Sequence, residues 1–221
     1  MPLHDHFRPP LSNKRHWESF QATWVVTIAR DLNGRLPERF IADPRVRSRG
    51  KVEIDLETGG PADATPDQRG RLDRWMMTRR SVVVRDLERD GRVAAVIELV
   101  QPADKARPEN RITFAGTEVG RLYGGLGVMV VDAVTVPAAN LHDEVMRLVG
   151  CDAPIFDATV YAASYAPVLA DDTLVFDIWA RPLAIGQPLP TLPLQILGLG
   201  RVQVDLDATY REACEWSRTP D

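Results

Sequence analysis

The spacing of apolar positions changes along this 221-residue chain, and each change marks an element. Trp17, Phe20, Trp24, Ile28 and Leu32 recur at three- and four-residue steps, which is one buried face of a helix. Ser12 stands where a cap belongs, Asn33-Gly34 weakens the last turn and Pro37 forbids continuation, so a helix is predicted from Ser12 to about Leu36. RFIADP and KVEIDLE then read as extended. In the second, Val52, Ile54 and Leu56 alternate with Glu53, Asp55 and Glu57, the period of a half-buried strand. Thr58 to Arg71, rich in Gly, Pro, Asp and Thr, predicts a long loop, followed by a helical turn near Leu72 to Met77.

SVVVRDLERDGRVAAVIELVQ is the clearest local pattern: two β-branched runs joined around Arg89-Asp90-Gly91, where Asp-Gly favours a tight hairpin. Pro102 ends the second run, and Arg107 to about Tyr123 predicts a helix whose propensity Gly116 and Gly120 lower. GVMVVDAVTV is apolar almost throughout, as a central strand covered on both faces is. Asn140 caps LHDEVMRLVG, with Leu141, Val145 and Leu148 as its stripe and Gly150 at its end. TVYAASYAPV and DTLVFDIWARPL predict a hairpin with Asp171-Asp172 at the turn. IGQPLPTLPLQI is punctuated by proline and is expected to cross the surface in extended form, before VQVDLDATYREACEW gives a strand and a final helix.

That order predicts an α/β fold with a mixed central β-sheet flanked by helices and a C-terminal β-hairpin and helix extension. One domain is expected: an arm at 1–11, a core at 12–150 and an extension at 151–221 packed on it.

Composition narrows the function more than the fold. Hydrophobic residues make up 44% and charged residues 26%, enough apolar material for a sizeable core, and the net charge of −4 supplies no global field for gathering polyanions. A nucleic-acid partner would therefore need a local basic patch, for which RVRSRGK (Arg45 to Lys51) and Arg69, Arg71, Arg74, Arg79 and Arg80 are the material. Charged loops are more often solvated surface. Cys151 and Cys214 form neither a CxxC knuckle nor a disulfide framework, which fits a reducing cytoplasm. The proline- and charge-bearing start MPLHDHFRPPL lacks the apolar run of a signal peptide, and no apolar run is long enough for a membrane helix. A homodimer is the other candidate partner, with Leu189 to Leu194 a candidate interface.

Within this frame Glu98 is the anomaly: a carboxylate in the apolar run VAAVIELVQ, on the face of Val96 and Val100. Buried and ionised, it needs a cation, either an arginine from the neighbouring strand or a metal with a lysine nearby. Asp55 and Asp86 lie at strand ends, and carboxylates converging there hold Mg²⁺ or Mn²⁺, which polarises a phosphate and activates water. Lys105 is the lysine within reach in sequence and would stabilise developing negative charge. His4, Asp5, His6 and, further on, His16 offer a second metal reading, although no further His or Cys completes a recognisable set. Glycine fingerprints of nucleotide sites and GxSxG are absent.

MPLHDHFRPPL with HWESF, LNGRLPERF, AAVIELVQPADKARPENR, GQPLPTLPLQI and VDLDATYREAC together resemble a bacterial family catalogued as domain of unknown function 4058. The stretch Ile97 to Lys105 is also similar to the strand-to-loop element of PD-(D/E)xK endonuclease-like proteins. That resemblance implies a nuclease-like core and a metal-dependent phosphodiesterase acting on nucleic acid, with Glu98 as metal-binding acid, Asp55 or Asp86 as the second, Glu18 as a third and Lys105 as a displaced lysine. The strict E-x-K is missing, because Val100 stands where its lysine belongs, and Gln101 and Asp104 replace the usual Ser and Asn. The alternative is an inactive interaction or scaffold protein that keeps the fold; Glu98 closed in a salt bridge would favour it.

Overall fold

The aromatic stripe becomes α1 (Trp17–Asn33) in a computed structural model that describes residues 2–48, 78–151, 157–170 and 173–219. The helix starts later than Ser12. Residues 6–14 are turns and a bend, because Pro9 and Pro10 bring no N–H and their rings crowd a preceding helical turn, and His16 is the N-cap without a side-chain bond. All five stripe residues are buried. Phe20 and Trp24 meet Tyr210 edge-on, with ring centroids 5.2 and 5.1 Å apart, which pins α1 to α5 (Leu206–Trp216).

Six strands follow in chain order across one sheet: β1 (Phe40–Ser48), β2 (Thr78–Asp86), β3 (Arg92–Leu99), β4 (Gly127–Asp132), β5 (Tyr161–Ala170) and β6 (Thr173–Pro182). Neighbours are antiparallel except β3 and β4, which are parallel. A parallel pair needs a crossover, supplied here by α2 (Pro102–Ala106) and α3 (Pro108–Tyr123). The β2–β3 connection is longer than the tight Asp-Gly turn expected: a 3-10 turn at Leu87–Arg89 precedes Asp90 and Gly91, both at positive φ (54° and 67°). KVEIDLE and the segment predicted as loop and helical turn lie outside the described residues.

The two faces are covered differently. Ile97 and Leu99 of β3 join Met129 and Val131 of β4 beneath α1 and α5, whereas Val128 and Val130 pack with Phe114, Val119 and Leu122 of α3 and with Leu141 and Val145 of α4 (Leu141–Leu148). Asn140 caps α4 as predicted, its side chain accepting from Asp143 N at 3.2 Å. The proline-punctuated passage is not surface. It contains β7 (Thr191–Ile196), paired with β8 (Gly200–Asp205), and Leu189, Leu192, Leu194 and Ile196 are buried in the α1-side core, so Leu189 to Leu194 does not offer those side chains to a partner. The two-residue alternation in TLPLQI outweighs its proline. β7 crosses so close to β4 that a Cβ on Gly127 would lie 1.9 Å from Gln195 O. The chain is thus an α/β protein with a six-stranded mixed sheet plus a C-terminal β-hairpin and helix. Among the described residues, no helix is long and apolar enough to cross a membrane.

Candidate functional site

Alternation along β3 sends Glu98 to the α3 side of the sheet, where its side chain is 1% exposed. Arg121, three residues beyond Glu118 on α3, places Nη1 2.8 Å from Glu98 Oε2 and also donates to Glu118 Oε2 at 2.5 Å. A second guanidinium closes the other side: Arg79 on β2 lies over the Phe114 ring, 3.1 Å from Asp104 Oδ1 and 3.9 Å from Glu118 Oε1. Asp104 is fixed by the capping box that starts α2, accepting from Gln101 N at 3.0 Å. Across the β2–β3 ladder from Glu98 stands Ser81, not an acid.

Three carboxylates and two guanidiniums leave this buried cluster one negative charge in excess if all are ionised. Burial, then the neighbouring Glu98 charge, raises Glu118 to about 7 against the pull of Arg121 and Arg79. Burial likewise raises Glu98, with Arg121 opposing. Glu98 Oε1 and Glu118 Oε1 accept no hydrogen bond among the described residues.

Lys105 belongs to a different cluster. Its Nζ lies 3.1 and 3.0 Å from the two oxygens of Asp132 at the end of β4, 2.6 Å from Val134 O and 2.5 Å from Thr159 O. An ammonium has three donors, and the Asp132 carboxylate and these two carbonyls take all three. Both side chains are fully buried. Burial raises Asp132 to about 7 and lowers Lys105, and their mutual attraction opposes each shift.

The remaining acids do not converge on Glu98. Asp86 pairs with Arg92 in the ladder where Ser81 pairs with Glu98, so it sits five strand residues away, roughly 17 Å at about 3.4 Å per residue. There it takes a bidentate pair from Arg39, Nε at 2.8 Å and Nη2 at 2.6 Å, which holds its carboxyl below the usual range. Asp55 lies outside the described residues, and Glu18 is half-buried on the first turn of α1. His6 is buried, with Nε2 2.8 Å from Tyr210 Oη and its ring on Phe20, and burial lowers it to about 4. His4 N donates to the same hydroxyl, while His16 is exposed. The arm docks through this neutral imidazole. Among the described residues, no three His, Cys, Asp or Glu side chains come together to hold a metal ion. Of the basic runs, Arg45 faces Asp43 at 3.8 Å, Arg79 is spent inside the acid cluster, and Arg69, Arg71 and Arg74 fall outside the described residues.

The shifted carboxyls set a pH dependence with a definite sign. Glu118 and Asp132 have folded values near 7, above ordinary values of 4.5 and 3.8, so the native state binds more protons between those limits. Their contribution is complete below the unfolded values and is lost as pH rises through about 7. His6 works the other way, its contribution growing as pH rises from about 4 towards 6.5 and staying complete above that. Chemical denaturation should therefore show stability falling between about pH 6 and about pH 8, with a shallower fall in Glu118→Gln. An equal slope in that variant would assign the proton elsewhere.

Arg121, Glu118, Asp132 and Ser81 were not among the residues the sequence singled out. Asp132 carried the same signature as Glu98, a carboxylate closing the apolar run GVMVVD. Arg121 and Glu118 look like solvated helix residues until α3 docks. No family model matches the chain, and neither a curated protein nor a solved structure matches it.

Proposed function

We propose that this chain is a noncatalytic interaction protein built on a nuclease-like α/β core. One observation carries the reading: Glu98, the acid at the position of the PD-(D/E)xK resemblance, is buried against Arg121 and faces Ser81 instead of a second acid. Metal-assisted phosphodiester hydrolysis needs several oxygens on one cation and a positive group for the developing charge. A cation at Glu98 would have to displace Arg121 beside a second guanidinium, while Lys105 is committed to Asp132. The order of α1, three antiparallel strands, α3 and a parallel strand supports the nuclease-like ancestry of the core, and a fold alone carries no activity.

The test is incubation of the full chain with duplex DNA, single-stranded DNA and RNA in Mg²⁺ or Mn²⁺. Intact substrates and a melting temperature unmoved by either metal are expected. Mn²⁺-dependent cleavage that disappears in a folded Glu98→Gln variant would overturn the reading.

A further inference from the structure

Among the described residues the sheet ends in β1 and β6, and these two edges are built differently. β1 carries Asp43, Pro44 and Arg45 in mid-strand; proline lacks the N–H that a new neighbour would need, and charges deter apolar pairing. β6 has no strand on its outer side among the described residues, pairs with β5 over ten residues without a bulge, carries its one outward-facing proline, Pro182, at its last position, and from Thr173 to Ala180 has Asp177 as its one charge. Leu174, Val175 and, just past the strand, Ile185 are each more than two-fifths exposed. Beside Leu174 a cavity of about 100 Å³ opens between the strand and α3, lined also by Leu122, Tyr123, Val149, Pro167 and Phe176. Unpaired backbone, apolar side chains and an adjacent pocket are the elements of strand addition.

We propose that β6 pairs antiparallel with β6 of a second copy of this chain about a two-fold axis at Trp179, joining two sheets into one. This deepens the interaction-protein reading, on which it rests, by naming the partner. Charge complementarity selects the register. Centred on Trp179, the pairing sets Asp177 of each copy opposite Arg181 of the other, on one face. Centred on Asp177 it would oppose two carboxylates; centred on Phe176 or Ile178 it would set Asp177 against Val175 or Trp179. On the same face Arg201 already lies 2.6 Å from Asp177 and over the Trp179 ring, so the two copies build a row of alternating charge around paired indoles. The same register sets the second copy's Pro182, where the strand ends, opposite Phe176, which lines the cavity.

Sedimentation equilibrium of the full chain over the micromolar range tests this. Wild type should dimerise reversibly. Arg181→Glu, an exposed side chain outside the buried clusters, should raise the dissociation constant about tenfold or more by facing Asp177 with like charge. Asp177→Arg should do the same. Mixing the two folded variants should restore a heterodimer, because that combination alone makes both cross-strand pairs opposite in sign. A wild type that stays monomeric, a dimer indifferent to Arg181→Glu, or variants that fail to complement would overturn the proposal. None of these touches the noncatalytic reading, which the cleavage assay decides.

Discussion

Lys105→Met should cost about 3–5 kcal/mol of unfolding free energy near neutral pH, the range for removing one partner of a buried ion pair. Methionine keeps most of the stem volume and removes the ammonium. Asp132 would then keep one hydrogen bond, from Val134 N at 3.0 Å, and the carbonyls of Val134 and Thr159 would lose a donor. The sign of its pH dependence follows. With the ammonium gone the Asp132 carboxyl rises further, so protonation restores part of the loss, which should be smaller near about pH 5 than near about pH 8. Lys105→Met/Asp132→Leu should recover much of it, because exchanging both members for apolar groups removes the stranded charge. Urea titrations with a common slope would measure this. A loss below about 1 kcal/mol in Lys105→Met would mean that the lysine is solvated, as a mobile catalytic lysine would be.

Arg121→Met should be comparably severe. Arg121 is the group that donates to both Glu98 and Glu118, and with it gone the two buried acids keep, among the described residues, only Arg79, at 3.9 Å from Glu118. About 3–5 kcal/mol should be lost near about pH 8. Below the raised values of these carboxyls the folded variant binds protons instead, so the loss should shrink markedly towards about pH 5. Equal losses at both pH values would show that the carboxylates have found another cation, and the buried cluster would need a different charge count.

Elements whose own residues decide them were legible in the sequence. The indole and phenyl rings of α1, the β2–β3 and β5–β6 pairings and the Asn140 cap each follow from local spacing, and each is present; the Asp90-Gly91 connection is longer than expected, and Asp171-Asp172 lies outside the described residues. Elements decided by tertiary packing were not. TLPLQI reads as a proline-rich connector until Val202 and Val204 of β8 pair with it and the core takes up Leu192 and Leu194. At the candidate site the anomaly was legible and its resolution was not. A buried glutamate announces itself by sitting among valines, but its partner comes from α3, twenty-three residues on, where Arg121 has no local feature to mark it. Lys105 was legible as an unusual lysine. That it turns to β4 and not back to Glu98 depends on α2 docking over the end of the parallel pair, which no pattern within the loop specifies.

The most direct measurement of the central claim, that Glu98 belongs to Arg121, is a double-mutant cycle with Glu98→Gln and Arg121→Met, read by denaturant unfolding. If the pair is structural, Arg121→Met should cost far less in the Glu98→Gln background, with a coupling of about 1–3 kcal/mol. Additivity within about 0.5 kcal/mol would contradict the account, because a carboxylate indifferent to its arginine is one that is free to take a metal.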